Sequence, residues 1–281
     1  MTTFAITGAS GQLGRLVTEK LLATVDPADV VLLSRNPDSL AEFADRGATV
    51  RRADFDDPAT LGAAFAGVDR VLLISTDVVG QRLDGHRAAI DAAKAAGVDR
   101  IAYTSIVRPE AGNPAGVVPD HIATEQYLRD SGVHWVMLRN ALYADMQVDT
   151  LTQAAATKEF VTNAGAGRTS YVTRADCAAV AVAALVGDTA DVEYDVTGPD
   201  ALSAADLAEL AELVAGAPVG VVAVDDASYT AGLVKAGLPD PIAALLASFG
   251  TSTREGYADV VSTVVRDLTG QEPTRLRALV A

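Results

Sequence analysis

The chain has 281 residues, 49% of them hydrophobic, and a formal net charge of -15 from 37 acidic and 22 basic side chains. Such a negative field repels phosphate backbones and anionic lipid, so the composition argues against nucleic-acid and membrane-surface partners. The single cysteine, Cys177, excludes an internal disulfide. We see no basic-then-apolar leader before the first strand and no apolar run of membrane-spanning length, so we expect a soluble, cytoplasmic protein.

The first half of the chain alternates short apolar runs with helical stretches. The strand candidates are residues 3–6, 30–34, 49–52, 71–74, 101–104 and 135–138. Helices are predicted between them, over residues 39–46, 60–66, 81–96 and 121–131. Each of these helices ends at a glycine, the usual residue for a left-handed helix terminus: Gly47, Gly67, Gly97 and Gly132. This alternation of strands and helices predicts an α/β fold with a doubly wound, parallel sheet of the Rossmann type.

The second half has a looser pattern. We expect a helix over residues 174–185, a strand over 192–196, a helix over 203–215 capped by Ser203, and a strand over 219–224. The division that follows is a Rossmann domain over residues 1–145 and a smaller, mostly helical substrate-binding part over 146–281. Segment 174–198 is a candidate to return to the Rossmann sheet.

A glycine-rich turn joins the first strand to the first helix. Residues 7–14 read TGASGQLG, so the glycines at 8, 11 and 14 follow a G-x-x-G-x-x-G spacing. Glycines let backbone N–H groups approach a pyrophosphate, and the positive end of the helix dipole favours the negative charge of that pyrophosphate. The turn therefore predicts dinucleotide binding, with a plain tight βα turn as the alternative.

The residue after the second strand usually decides which dinucleotide binds. An acidic residue binds the ribose 2′-hydroxyl of NAD, whereas an arginine accommodates the 2′-phosphate of NADP. Here Arg35 follows Ser34 about twenty residues beyond the glycines, at the expected spacing. Because a guanidinium pairs bidentately with a phosphate, we predict NADP(H); an ordinary surface arginine is the alternative.

The third and fourth strands also end in polar residues. Asp54 is placed to accept a hydrogen bond from the adenine amino group, with Phe55 stacking beside the ring, while Asp56 or Asp57 caps the next helix. The fourth strand ends in the run 75–77, which reads Ser-Thr-Asp. Small hydroxyl residues there suit either a close cofactor approach or a simple turn.

These residues together resemble the NmrA-like branch of the atypical short-chain dehydrogenases/reductases, especially its quinone-reductase and dye-reductase members. The resemblance covers nearly the whole chain. It is carried by residues 6–15, 34–37, 54, 73–75, 80–82, 103–105, 121–125, 138–143, 161–165, 236–239 and 270–274. It implies NADP(H) contacts at Gly8, Ser10, Gly11, Gln12, Leu13, Arg35, Asp54 and Ser75. Tyr103 is a further candidate for cofactor binding. It also places Asn140 and Tyr143 beside the nicotinamide and substrate, where a capped turn with a packed tyrosine is the alternative.

The chain lacks the Tyr-x-x-x-Lys pair with which ordinary members of that superfamily protonate a carbonyl oxygen. The corresponding helix carries His121 and Glu125, four residues apart, and Tyr127 is followed by Ser131 instead of lysine. Side chains at this spacing can touch. We expect Glu125 to orient the His121 imidazole near the nicotinamide, with an ordinary surface pair as the alternative.

The absence of the Tyr-x-x-x-Lys proton donor favours acceptors whose reduction does not require a proton from the protein. A ketone becomes a basic alkoxide, whereas a quinone becomes a delocalised anion with a pKa of roughly 10, and a cationic dye carbon needs no proton. We therefore expect an NADPH-dependent oxidoreductase that passes hydride to a quinone-like or dye-like acceptor without flavin or metal. A redox sensor with little catalysis and reduction of a conjugated enone remain open, as does a homodimer.

One further segment has two interpretations. Residues 163–168 contain two glycines in a long polar connection. They suit either a lid over the substrate, with the glycines as hinges, or an ordinary turn.

Overall fold

A parallel sheet forms the centre of the protein in the computed structural model, which describes residues 1–76 and 78–281. The strands of this part of the chain are β1 Phe4–Ile6, β2 Val30–Ser34, β3 Thr49–Arg52, β4 Arg70–Leu73, β5 Arg100–Ile106, β6 His134–Asn140, β7 Glu159–Thr162, β8 Arg168–Ser170, β9 Val192–Val196, β10 Ala201–Ser203 and β11 Gly220–Ala223. Seven of them form one sheet in the order β3-β2-β1-β4-β5-β6-β9. All neighbours in this sheet are parallel, so the predicted Rossmann-type fold is confirmed.

Helices pack on both faces of the sheet, and others form the C-terminal part, where α6 and α8 share a separate apolar core with β7. The helices of the described residues are α1 Gln12–Leu22, α2 Ala41–Ala44, α3 Leu61–Ala64, α4 Arg82–Ala95, α5 Val118–Asp130, α6 Gln147–Thr157, α7 Arg174–Val186, α8 Ala204–Ala215, α9 Asp226–Lys235, α10 Asp240–Arg254 and α11 Val264–Thr269. No helix of residues 1–76 and 78–281 has the length and apolar character needed to cross a bilayer.

Two apolar cores lie on opposite faces of the sheet because successive side chains of a strand point in opposite directions. Ile6 and Leu72 pack with α1 and α7 on one face. Ala5 and Leu73 pack with α3 and α4 on the other. Strands buried on both faces explain why the sequence shows continuous apolar runs instead of alternation.

The predicted helix ends are confirmed at all four glycines: Gly47, Gly67, Gly97 and Gly132 have φ of 99°, 70°, 83° and 80°. The helix starts are less well predicted. Helix α5 begins at Val118, three residues before His121, because Pro119 fits the first turn.

The second half departs further from the sequence prediction. Strand β9 pairs with β6 and so joins the central sheet, and Ser203 caps α8 in a full capping box with Asp206. The predicted strand near 219–224 appears as β11, but it pairs with β7 outside the central sheet. The elements α6, β7 and β8, within residues 144–173, and β10, at residues 201–203, have no counterpart among the predicted elements.

Candidate functional site

Polar residues and glycines gather where the carboxyl ends of β1 to β4 meet. This edge, formed by residues 7–13, 34–35, 54–55 and 74–76, is called the candidate groove below. Open α/β sheets bind ligands at this kind of edge. The groove has a phosphate end at the glycine-rich turn and a second end at residues 74–76, which we call the β4 loop.

The glycine-rich turn has the geometry of an anion site. Gly8 has a φ of +59°, in the left-handed region. A Cβ added to Gly14 would lie 2.2 Å from the Gly8 carbonyl oxygen, so only glycine lets α1 approach the turn so closely. The N-terminus of α1 at Gly11 has no side-chain cap, which leaves backbone N–H groups for an anion. These features fit a pyrophosphate.

Arg35 stands at the end of β2 beside this turn. It is exposed, and it forms no ion pair with any residue in 1–76 or 78–281. The Oγ atoms of Ser34 and Ser10 lie 3.0 Å apart and connect the end of β2 to the glycine-rich turn. The sequence-predicted residues Ser10 and Arg35 are therefore brought to one place, with a cation available for a ligand phosphate.

Asp54 and Phe55 follow β3 along the same edge. Asp54 accepts a hydrogen bond from the Asp56 N–H at 3.2 Å and lies 3.7 Å from the Arg52 guanidinium. Phe55 packs edge-on against the His86 ring, with ring centres 6.3 Å apart. Asp57 precedes the turn Pro58–Thr60 but makes no side-chain cap, so capping by Asp57 is not found.

The β4 loop is held by side chains from three other elements. The N–H groups of Ile74, Ser75 and Thr76 donate to Thr7 Oγ1 at 2.9 Å, Thr104 Oγ1 at 2.9 Å and His86 Nε2 at 3.2 Å. Thr104 also donates to Ser75 Oγ at 3.3 Å. Ser75 thus lies in the groove as predicted, whereas Asp77, the last residue of the predicted run, lies outside the described residues.

Tyr103 is not a groove-lining side chain. It is fully buried, and its Oη lies 2.8 Å from His121 Nδ1. The ring packs inward against α4 and α5, so a cofactor contact at Tyr103 would have to come from its backbone, and this contact stays a prediction. Burial also raises the pKa of the Tyr103 hydroxyl above its ordinary range.

His121 belongs to a buried polar cluster. Its Nε2 lies 3.2 Å from Arg82 Nη1, which can only donate, so Nε2 accepts and the proton lies on Nδ1, facing Tyr103. Burial, followed by the positive charge of Arg82, lowers the pKa of His121 to about 3. His121 is therefore a neutral imidazole at physiological pH.

The expected contact between His121 and Glu125 does not form. Glu125 is 2% exposed, and both of its oxygens accept hydrogen bonds from Arg139 at 2.8 and 3.0 Å. Arg129 adds a third bond at 2.8 Å. The prediction of a carboxylate-oriented imidazole is wrong because two arginines pair more strongly with a buried carboxylate than a neutral histidine does. The catalytic role of His121 stays a prediction.

Asn140 and Tyr143 lie together just beyond β6. Asn140 is buried at the end of the strand, and its Nδ2 donates to Tyr143 Oη at 3.5 Å. The guanidinium of Arg174 lies 4.5 Å from the centre of the Tyr143 ring. Burial raises the pKa of the Tyr143 hydroxyl, so it stays protonated.

A small apolar cavity lies next to these two residues. Ile106 and Leu142 form its sheet side, while Phe249 and Tyr257 come from the C-terminal part. Its lining also includes Asn113 and Ser252, and its volume of about 10 Å³ has room for a water molecule but not for a ring-shaped ligand unless the lining moves.

Residues 163–168 form a packed turn. Asn163 is 3% exposed, and its Nδ2 donates to the Ala247 carbonyl at 2.8 Å. A Cβ added to Gly167 would lie 2.1 Å from the Thr253 carbonyl oxygen. The segment thus has the packed turn that one interpretation expects, held against α10 at both of its ends.

His86 is the residue that sequence reasoning missed. It is fully buried on α4, and its Nδ1 lies 3.0 Å from Thr124 Oγ1 on α5. The only sequence signal is its position four residues after Arg82, on the same face of one helix. The partners of that face, on α5 and in the β4 loop, are distant in sequence.

Comparison with known proteins defines the class. Residues 8–188 match the family described as NAD(P)H-binding. The chain belongs to this family, and it is an NAD(P)H-dependent oxidoreductase of the NmrA-like kind.

Individual relatives cover the chain nearly end to end. The chain is 38% identical over 274 residues to quinone oxidoreductase 2 of Escherichia coli (strain K12), a match that spans 97% of this chain and 95% of the relative. The structure of an Escherichia coli NADPH-dependent quinone oxidoreductase in complex with NADPH has a TM-score of 0.95 and 37% identity, covering 99% of this chain and 98% of that chain.

A second solved structure agrees. Citrobacter sp. triphenylmethane reductase complexed with NADP(H) has a TM-score of 0.91 and 32% identity, with 99% of this chain and 98% of that chain covered. The cofactor of the chain is therefore NADP(H), as Arg35 predicts.

Proposed function

We propose that the chain passes hydride directly from NADPH to a quinone-like or cationic dye-like acceptor, without flavin or metal. The observation that carries this proposal is the state of the helix that would hold the usual acid. His121 is buried and neutral, and Glu125 is occupied by Arg129 and Arg139. Neither side chain can supply the strong proton donor that reduction of a simple ketone needs.

The chemistry of a quinone or dye acceptor fits a site that lacks a strong proton donor. Hydride adds to the quinone, and the product is a delocalised hydroquinone anion with phenol-like basicity, roughly pKa 10. Water can protonate such an anion. A cationic dye carbon is neutralised by the hydride itself. The protein then contributes mainly by holding donor and acceptor together.

In this proposal, different residues of the candidate groove bind different parts of NADPH. When bound, NADPH supplies the hydride. We assign its pyrophosphate to the glycine-rich turn and the N–H groups at the start of α1, its 2′-phosphate to Arg35, and its adenine to Asp54 and Phe55. Ser75 lies along the path to the nicotinamide. The arrangement of glycines and the unpaired guanidinium support this assignment.

We place the acceptor beside Asn140 and Tyr143, at the carboxyl end of β6. Ile106, which pairs with Asn140, and Phe249 line the small cavity, which would have to widen to take a ring, and the Tyr143 hydroxyl stays protonated. Asn140 and Tyr143 can donate hydrogen bonds to an acceptor oxygen as its negative charge develops. Residues 146–281, which supply Phe249, serve as the substrate-binding part in this proposal.

Steady-state oxidation of NADPH by a panel of quinones, triphenylmethane dyes and aldehydes tests the proposal. We expect turnover with quinones or dyes and none with aldehydes, in protein treated with chelator and shown by its absorbance spectrum to be free of flavin. Tight NADPH binding without turnover of any acceptor would contradict the proposal and favour a redox sensor. Turnover that appears only on addition of flavin would contradict it as well.

A further inference from the structure

The β4 loop extends a strand whose regular hydrogen bonding has ended. Strand β4 ends at Leu73, yet the next three backbone N–H groups are all bonded to side chains: Thr7, Thr104 and His86. These three acceptors come from three different elements. The path of the loop is therefore specified by side chains and not by the sheet.

This loop borders the phosphate end of the candidate groove. A Cβ added to Gly8 would lie 3.7 Å from the Cβ of Ile74, so the loop and the glycine-rich turn are in van der Waals range. A displacement of the loop would change the width of the groove. Thr104 accepts from the Ser75 N–H and donates to Ser75 Oγ, which leaves the Ser75 hydroxyl its own proton for a further acceptor.

His86 differs from the two threonines because it links the loop to a second helix. A backbone N–H can only donate, so His86 Nε2 must accept from Thr76, and the imidazole proton must lie on Nδ1. The Nδ1 proton then points at Thr124 Oγ1, 3.0 Å away on α5. One neutral tautomer thus connects the β4 loop, α4 and α5.

The surroundings of the ring hold it in this orientation. His86 and Thr124 are both fully buried. The rings of Phe55 and Tyr103 pack edge-on against the imidazole, with centres 6.3 and 5.5 Å away. Phe55 is the residue assigned to the adenine, so His86 touches both the adenine side and the β4 loop.

We propose that His86 is a positioning residue, which fixes the β4 loop and Phe55 in the arrangement that NADP(H) requires. This inference rests on the proposed function where it places the cofactor along the groove. His86 does not contact the cofactor in this proposal. It acts through the Thr76 peptide and the Phe55 ring, and it does so in the Nδ1-protonated form.

Two substitutions separate positioning from mere packing. His86→Leu fills similar space but removes the acceptor of the partly buried Thr76 N–H, and one lost hydrogen bond of this kind corresponds to roughly a tenfold change. His86→Gln keeps an acceptor oxygen near the place of Nε2. We expect the Kd for NADPH and for NADP+ to rise roughly tenfold in the leucine variant and to stay near the wild-type value in the glutamine variant.

The matched control is His134→Gln, at an exposed histidine that pairs with Asp191 at 2.9 Å. Binding is measured by titration of cofactor fluorescence without an acceptor, so the result does not depend on turnover. Equal losses in both His86 variants, or wild-type affinity in the leucine variant, would overturn the inference. Absence of quinone turnover by the wild type would instead count against the proposed function.

A measurement on the unsubstituted protein covers the case in which a variant does not fold. Nitrogen-15 NMR of the imidazole side chains distinguishes a protonated from an unprotonated ring nitrogen. We expect His86 to carry its proton on Nδ1, with Nε2 unprotonated, in the cofactor-free protein. A proton on Nε2 would overturn the inference, because that nitrogen could not then accept from Thr76.

Discussion

The two ends of the candidate groove are built in different ways. The phosphate end uses backbone N–H groups and the exposed Arg35, which has no ion-pair partner in residues 1–76 and 78–281. The β4 loop end uses buried side chains that satisfy one another, among them His86, Thr104 and Thr124. The first end offers a cation and backbone N–H groups to a ligand, whereas the polar groups of the second end are hydrogen-bonded to one another.

Because the two ends differ in this way, substitutions at the two ends should change different properties of the protein: cofactor binding at one end and folding stability at the other. Changes at the exposed end should alter which dinucleotide binds and leave folding intact. Changes in the buried cluster should alter folding as well, because an unpaired polar group in a protein interior is strongly unfavourable.

The largest expected effect is the response of the buried histidines to acid. Burial lowers the pKa of His86 from 6.5 to about 4 and that of His121 from 6.5 to about 3. The unfolded chain therefore takes up these protons first as the pH falls below 6.5. We expect the free energy of unfolding to fall by roughly 1 kcal/mol per pH unit for each histidine down to about pH 4.

Urea denaturation at a series of pH values measures this slope. His86→Gln should remove the contribution of one histidine from the slope. Identical slopes in the wild type and His86→Gln would show that His86 does not contribute.

The next largest effect is expected at Gly14. A Cβ there would lie 2.2 Å from the Gly8 carbonyl oxygen and 2.8 Å from the Ala9 Cα, so Gly14→Ala must displace backbone. We expect a loss of about 1–3 kcal/mol in the free energy of unfolding, together with a large loss of NADPH affinity. Gly62→Ala is the control, because nothing lies within 4 Å of a Cβ at Gly62. Equal behaviour of the two variants would refute the close approach of α1 to the turn.

Arg35 should control cofactor choice with little effect on folding. Replacing it with aspartate removes a charge-assisted bond to the 2′-phosphate, worth about 1.5–3 kcal/mol, so NADPH affinity should fall roughly 10- to 100-fold. NADH affinity should change little. Calorimetric titration with both nucleotides measures the ratio, and the exposed Arg277→Ala serves as control. Equal losses for NADPH and NADH would place the 2′-phosphate elsewhere.

The smallest effect is expected at Tyr143. Tyr143→Phe removes one donor to the acceptor oxygen, but water can still protonate a hydroquinone anion. We expect kcat with a quinone to fall by less than roughly tenfold, at the low end of what a general acid contributes. Tyr127→Phe, at a partly buried tyrosine whose hydroxyl bonds to Asp91, should leave kcat unchanged. A loss of several orders of magnitude at Tyr143 would make it an essential acid.

Local signals explain what the sequence predicted well. The glycine-rich turn, Arg35 and the Ser203 cap each depend on residues close together in the chain, and the structure shows the expected turn geometry and capping box. The continuous apolar strands of the central sheet were predicted for the same reason. Strands β7 and β8 were missed because each is short and pairs with a distant strand, β11 or β10.

Contacts from residues distant in the sequence explain why some predictions about the site were wrong. His121 and Glu125 have the right spacing for a contact, but Arg139 reaches Glu125 from β6 and Arg82 reaches His121 from α4. His86 showed no functional pattern of its own, since its partners are a loop amide and a threonine on another helix. Such contacts follow only from the packing of α4 and α5 on the sheet.

The most direct test of the account is a single turnover of NADPH, deuterated at the transferred position of nicotinamide C4, with a quinone, in flavin-free protein under anaerobic conditions. Direct transfer predicts that deuterium slows the oxidation of NADPH and that one hydroquinone forms for each NADPH consumed. Bound NADPH that no quinone or dye oxidises, or that is oxidised only after flavin is added, would contradict direct hydride transfer in this groove.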